Sequence, residues 1–178
     1  MDFSLIIIFF YSYLLGSIPF GLLITKLFLK EDIRNIGSGN IGATNVLRTG
    51  KKSLAAFTLL LDVMKGFLTI YITYKYNNDF IYFAGLICFI GHIFPIWLKF
   101  KGGKGVATYL GIILALSFKL ALIFGLAWLI LLLIFRYSSL SSIISSLVVF
   151  LSSLFFVNYS LTILLFTLFV TILYTHRD

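Results

Sequence analysis

Seven apolar stretches alternate with short polar connections along this chain, and that alternation restricts its fold more than any motif does. They cover residues 3–25, 54–74, 80–98, 106–117, 120–135, 140–157 and 161–175. The chain is 61% hydrophobic with a mean hydropathy of +1.09, well beyond the roughly 45–50% apolar content of soluble domains. A spanning helix needs about 20 apolar residues, so 178 residues leave room for several spans and little else. The expectation is an all-α integral membrane protein of about seven transmembrane helices, forming a single membrane domain over residues 1–178.

Within that pattern, residues 106–135 could form one long helix or two short ones. The polar pair Ser117 and Lys119 decides for two, because a lysine at the centre of a span costs on the order of 3 kcal/mol, whereas at a turn it stays hydrated. The chain starts Met-Asp-Phe-Ser, without the basic n-region or small-residue cleavage site of a removable signal peptide, and the first stretch is read as a retained span.

Charge sets the expected orientation. Lys and Arg number 14 against 6 Asp and Glu, giving +8. In a soluble domain this would suggest nucleic acid as partner; here it reads as cations retained in cytoplasmic loops, with no nucleic acid implied. With the N-terminus outside and the C-terminus cytoplasmic, Lys26, Lys30, Arg34, Arg48, Lys51, Lys52, Lys99, Lys101, Lys104, Arg136 and Arg177 fall inside, while Lys75 and Lys119 fall outside. The lone Cys88 excludes an intrachain disulfide and a Cys-x-x-Cys pair.

Two inner loops hold the chemistry. Residues 36–48 read Ile-Gly-Ser-Gly-Asn-Ile-Gly-Ala-Thr-Asn-Val-Leu-Arg, with Gly37, Gly39 and Gly42 within six positions. Glycines let backbone amides turn toward one point, and Ser38, Asn40, Thr44 and Asn45 add donors without bulk, so the loop can cradle a phosphate. Residues 99–108 read Lys-Phe-Lys-Gly-Gly-Lys-Gly-Val-Ala-Thr directly before a helix, where amides, helix dipole and ammonium groups favour an anion. The same lysines would also serve as topology signals beside headgroups. The nucleotide-binding Gly-x-x-x-x-Gly-Lys-Ser/Thr is absent, since Val106 follows Gly105, and neither ATP nor GTP is inferred.

Asp62 and Lys65 share a helix face; either they neutralise one another or Lys65 points into a polar site. His92 and His176 lack metal-ligand spacing. The His-x-x-x-x-Asp of soluble and peripheral glycerolipid acyltransferases is missing, because Trp97 stands five positions after His92, and no Gly-x-Ser-x-Gly elbow occurs. With Glu31, Asp32 and Asp178 the inner-face acids, a Ser-His-Asp triad and a protein nucleophile are not expected. No carboxylate cluster suits Mg²⁺, so independence from divalent metal is predicted. The serines at 138, 139, 141, 142, 145 and 146 suit close helix packing.

Five ordered blocks now converge: Gly-Ser-Gly-Asn-Ile-Gly-Ala-Thr-Asn-Val-Leu-Arg from Gly37, Asp-Val-Met-Lys-Gly from Asp62, Gly-His-Ile-Phe-Pro from Gly91, Phe-Lys-Gly-Gly-Lys-Gly-Val-Ala-Thr from Phe100 and Tyr-Ser-Ser-Leu from Tyr137. Together with Gly-Ser-Ile-Pro from Gly16, they resemble the bacterial acyl-phosphate glycerol-3-phosphate acyltransferases over nearly the whole chain. The resemblance implies a multi-pass plasma (inner) membrane enzyme that needs no cofactor and works among membrane lipids. It would transfer a fatty acyl group from acyl phosphate to the sn-1 hydroxyl of glycerol 3-phosphate, giving lysophosphatidic acid and inorganic phosphate. Matching blocks assigns Ser38, Arg48 and Lys104 as catalytic; the proton acceptor is expected to be a phosphate oxygen of the acyl phosphate, with His176, counted among the catalytic residues, or His92 as the alternative. Substrate binding falls to Gly37, Gly39, Asn40, Gly42, Thr44, Asn45, Lys65, His92, Gly102, Gly103, Gly105, Thr108 and Ser139. The family continues past its final His-Arg with a polar, basic segment, whereas this sequence stops at Asp178. A transporter of a phosphorylated metabolite is the competing reading, but its binding site would lie at the midplane between inverted repeats, whereas these motifs gather at one face.

Overall fold

The computed structural model describes residues 3–177. Among them are nine α-helices and no β-strand: α1 (Phe3–Ser17), α2 (Phe20–Leu29), α3 (Ala43–Leu47), α4 (Lys52–Tyr76), α5 (Ile81–Ile93), α6 (Val106–Leu116), α7 (Phe118–Phe135), α8 (Ser138–Phe156) and α9 (Tyr159–Thr175). Five segments are long and apolar enough to cross a membrane, namely Phe3–Leu29, Lys52–Tyr76, Asn78–Leu98, Phe118–Phe135 and Ser138–Phe156, and Val106–Leu116 and Tyr159–Thr175 are shorter apolar helices. The seven apolar stretches of the sequence thus all become helical.

The expected break between α6 and α7 falls at Ser117, whose backbone is extended and whose hydroxyl accepts from the Leu120 N–H. Lys119 places its ammonium 3.4 Å from the centroid of the Phe156 ring. The first stretch differs from the continuous span expected. It breaks at Ile18 and Pro19, because proline supplies no N–H and disfavours helical backbone in the residue before it. The carbonyls freed by this break find side-chain donors: Lys65 Nζ donates to the Ile18 carbonyl at 2.8 Å, and Trp97 Nε1 to the Ser17 carbonyl at 2.9 Å.

Helix pairs approach through small residues, as expected where lipid removes the hydrophobic drive for helix association. A Cβ on Gly16 would collide with the Cys88 carbonyl, joining α1 to α5, and one on Gly111 with the Val63 carbonyl, joining α4 to α6. In α8, Ser141, Ser142, Ser145 and Ser146 are buried. Ser142 donates back to the Ser138 carbonyl at 2.8 Å and accepts from Trp128 Nε1 at 3.0 Å, which ties α8 to α7. The main core gathers Phe89, Tyr109, Ile112, Ile113, Val149, Leu165 and Leu168 from α5, α6, α8 and α9. Outward faces stay apolar: Leu133 and Ile134 of α7 are 71% and 66% exposed, a surface suited to lipid rather than water.

Candidate active site

The connection from α2 to α4 is organised by one asparagine. Asn45 is buried, and its amide nitrogen faces the carbonyls of Ile33, Ile36 and Asn40 at 3.1, 2.8 and 2.8 Å. Its Oδ1 accepts the Ser38 N–H at 3.0 Å, while Asn40 Oδ1 accepts the Gly42 N–H at 2.8 Å. Ile33, Ile41 and Val46 pack beneath with Leu22 and Ala55. At the loop's entry Arg34 donates to Asp32 at 2.9 and 2.6 Å, and these bonds hold the carboxyl at about 2. Gly37 has φ +56° and lies against Asn45 and Arg48, a conformation and a contact that a side chain would disturb.

The connection from α5 to α6 folds back on the end of α5. The Gly102 N–H donates to the Ile93 carbonyl at 2.9 Å and the Gly103 N–H to the His92 carbonyl at 3.1 Å. This corrects the expectation that both amides are free for a phosphate: these glycines are needed because a Cβ would strike the His92 backbone or ring. Gly105, at φ +87°, turns the chain into α6. The Lys104 carbonyl accepts from the Thr175 hydroxyl at 3.2 Å, which brings the end of α9 to this loop.

Both loops open on one cavity of about 500 Å³. Ser38, Asn40, Gly42, Thr44, Asn45 and Arg48 line it from the first loop, Lys104 and Gly105 from the second, and Ser139 and His176 from the starts and ends of α8 and α9. Thr44 and Ser138 hydroxyls lie 3.4 Å apart across the gap between α3 and α8. His176 Nδ1 is 2.8 Å from the Ile172 carbonyl. An acceptor oxygen there requires the proton on Nδ1, leaving the Nε2 lone pair free. Burial, with repulsion from Lys104, pulls His176 below its ordinary 6.5, against the opposing effect of the Ile172 bond.

His92 and Asp62 close the cavity's base, with His92 Nδ1 3.7 Å from Asp62 Oδ1. Lys65 does not reach the cavity. Its ammonium is held by Asp62 at 2.8 Å and by the Ile18 carbonyl, so of the two candidates on that face it is the carboxylate that lines the site. Gly37, Gly39 and Thr108 also lie off the cavity wall. The first two shape the loop from behind, and Thr108 is buried on the face of α6 where its carbonyl meets Gly66 of α4. Among the lining residues that escaped the sequence reading of the site are Lys52, counted only as a topology signal, and Trp128 and Gly125, which sit in an apolar run with nothing to mark them.

The order of helices and loops matches known proteins throughout. The family model of glycerol-3-phosphate acyltransferases matches residues 6–178. The chain belongs to that family. Curated glycerol-3-phosphate acyltransferases similar to it include one from Pelagibacter ubique, 56% identical over 168 residues and covering 94% of this chain and 87% of the relative. Another, from Mesorhizobium japonicum, is 48% identical over 177 residues, covering 99% and 91%. Among solved structures, the crystal structure of PlsY (YgiH), an integral membrane glycerol 3-phosphate acyltransferase, in its glycerol 3-phosphate form superposes with a TM-score of 0.92 at 39% identity, covering 98% of this chain and 88% of that one. Its lysophosphatidic acid form gives 0.90 at 38% identity with the same coverage. In this acyltransferase the cationic and small polar residues therefore share their cavity with an apolar wall of Ala55, Leu59, Leu110, Phe124 and Trp128.

Proposed function

We propose that this membrane glycerol-3-phosphate acyltransferase takes its acyl group from an acyl phosphate and delivers it to the sn-1 hydroxyl of glycerol 3-phosphate. The observation that carries the reading is the meeting of Arg48, Lys52 and Lys104, from three separate elements, with small polar residues around a cavity that also has an apolar wall of Ala55, Leu59, Leu110, Phe124 and Trp128. Cations on one side suit two phosphates, and the apolar side suits a fatty chain. The hydroxyl oxygen attacks the acyl carbonyl carbon, the bond from that carbon to the phosphate oxygen breaks, and the products are lysophosphatidic acid and inorganic phosphate. A mixed anhydride is already activated, so alignment and charge stabilisation suffice and no protein nucleophile is required. Arg48 and Lys104 neutralise phosphate charge; Ser38, Asn40, Thr44 and Ser139 orient the phosphate or the attacking hydroxyl. The hydroxyl proton passes to an oxygen of the departing phosphate, which stands beside the reaction by necessity. Thr175, donating to the Lys104 carbonyl, ties the end of α9 and with it His176 to that cation's loop.

The same reading treats the chain as one membrane domain with seven spans, the N-terminus outside and the cavity at the cytoplasmic face of the plasma membrane, as the distribution of Lys and Arg favours. Acyl phosphate and acyl coenzyme A offered at equal concentration, with glycerol 3-phosphate present, test the donor. Turnover is expected with acyl phosphate and not with the thioester; preference for the thioester would refute the assignment.

A further inference from the structure

Of the lysines in the second cationic loop, Lys104 lines the cavity, whereas Lys99 and Lys101 do not. Both are exposed, and neither enters an ion pair among the described residues. They stand on a tight knob formed by residues 95–101. The N–H groups of Leu98, Lys99, Phe100 and Lys101 donate to carbonyls within the knob at 3.0–3.1 Å, so side chains alone remain to meet a partner. Lys99 and Phe100 hold left-handed backbone, with φ +52° and +62°, a conformation their Cβ atoms disfavour. Ile96, Trp97 and Phe100 are 54%, 55% and 57% exposed. Trp97 is nevertheless fixed, since its Nε1 donates to the Ser17 carbonyl. Leu98 turns inward onto Leu22, Ile33, Ile41 and Val46, the core beneath the first loop.

We propose that this knob is a docking surface for anionic phospholipid headgroups, and that docking steadies the site: Lys99 and Lys101 bind headgroup phosphates while Ile96, Trp97 and Phe100 enter the boundary with the acyl chains. Exposed aromatic rings and ammonium groups on one short segment match that boundary, where rings reside and lysines meet phosphate. Residues 95–101 carry no acid, so charge complementarity selects an anionic surface. Two adjacent non-glycine residues in left-handed backbone mark a turn kept for the side chains it displays. Coupling to the site runs through short links. Gly102 and Gly103, which separate Lys101 from Lys104, are bonded to the Ile93 and His92 carbonyls, and Leu98 rests on the core of the loop that carries Arg48. A headgroup layer that fixes the knob therefore holds both cationic loops in register.

The test reconstitutes the parent, a Lys99→Gln/Lys101→Gln double variant and Phe100→Gly in vesicles of phosphatidylcholine alone or of phosphatidylcholine mixed equally with phosphatidylglycerol. Turnover of acyl phosphate with glycerol 3-phosphate is the first readout, and it rests on the acyl-transfer reading. The parent is expected to work several-fold faster in the mixed vesicles; the double variant should match it in phosphatidylcholine and lose that gain. Glycine suits left-handed backbone, so Phe100→Gly keeps the turn and should lose part of the gain. Native mass spectrometry with phosphatidylglycerol added to the detergent-solubilised protein reads docking without turnover, and affinity should fall roughly fivefold for each lysine removed. No gain in the parent, a gain kept in full by the double variant, or undiminished phosphatidylglycerol adducts would overturn the proposal. A double variant slowed equally in both kinds of vesicle would also overturn it, by assigning the lysines to the anionic substrates. A parent inactive on acyl phosphate, with adducts still lost alongside the lysines, would refute the donor assignment while bearing out the docking.

Discussion

Replacing Lys65 with methionine removes one cation from the interior while keeping most of its aliphatic stem. In the parent, Lys65 and Asp62 are 3% and 2% exposed, and the ammonium lies 2.8 Å from the Asp62 carboxylate and 2.8 Å from the Ile18 carbonyl. Methionine fills nearly the same volume, so the cavity contribution is small. What remains is a carboxylate stripped of its cation and a carbonyl at the α1–α2 break stripped of its donor. Leaving one partner of a buried pair uncompensated costs about 3–5 kcal/mol. At roughly 2–4 °C per kcal/mol for a chain of this size, Tm should fall by about 6–20 °C. Cys88 is the protein's one cysteine and is fully buried, so a thiol-reactive fluorescent dye in detergent micelles reports unfolding directly. The double variant Asp62→Asn with Lys65→Met should recover part of the loss, because the stranded charge is gone. A Lys65→Met protein that melts with the parent, or a double variant no more stable than the single one, would refute the argument that this pair holds α4 to the helix break.

Asn45→Ala removes the donor facing three carbonyls and the acceptor for Ser38, at about 1 kcal/mol for each bond lost; KM for glycerol 3-phosphate should rise and the 33–45 loop should become sensitive to protease, and an unchanged KM would contradict its organising role. Gly111→Val drives a side chain into the Val63 carbonyl and should cost about 1–3 kcal/mol or more, seen as a lower Tm with the same dye; a neutral result would mean that α4 and α6 are not locked at that contact. Burial holds His176 below its ordinary 6.5, so the unfolded chain binds the proton first as pH falls and stability attributable to His176 is lost on the acid side of 6.5; the difference in Tm between parent and His176→Gln should therefore shrink there. In the rate, a phosphate that accepts the hydroxyl proton gives an acid limb set by the acyl phosphate's own second ionisation, present in both enzymes, and a limb that vanishes in His176→Gln would make the imidazole the base.

The helical, membrane-spanning character was legible because hydropathy is an average, and averages survive local detail. So was the turn at Ser117, since a lysine two residues on cannot sit cheaply at mid-span. The break at Pro19 was not, because apolar residues continue through it and the pattern reports composition rather than hydrogen bonding. The two loops were legible as polar and cationic, and Ser38, Asn40, Arg48 and Lys104 do line one cavity. Gly102 and Gly103 were misread for a definite reason. A glycine marks a close approach without saying to what, and here the neighbour is the His92 backbone and ring rather than a ligand. Asp62 and Lys65 share a face, and only the position of the Ile18 carbonyl decides that the lysine turns away from the cavity.

Phosphate release by the purified protein tests the central claim most directly. With acyl phosphate and glycerol 3-phosphate together, inorganic phosphate and lysophosphatidic acid should form in equal amounts, with neither substrate sufficing alone, and Lys104→Ala should abolish both products while melting like the parent. Phosphate release that ignores glycerol 3-phosphate, full activity in Lys104→Ala, or uptake of glycerol 3-phosphate into sealed vesicles without turnover would contradict the account.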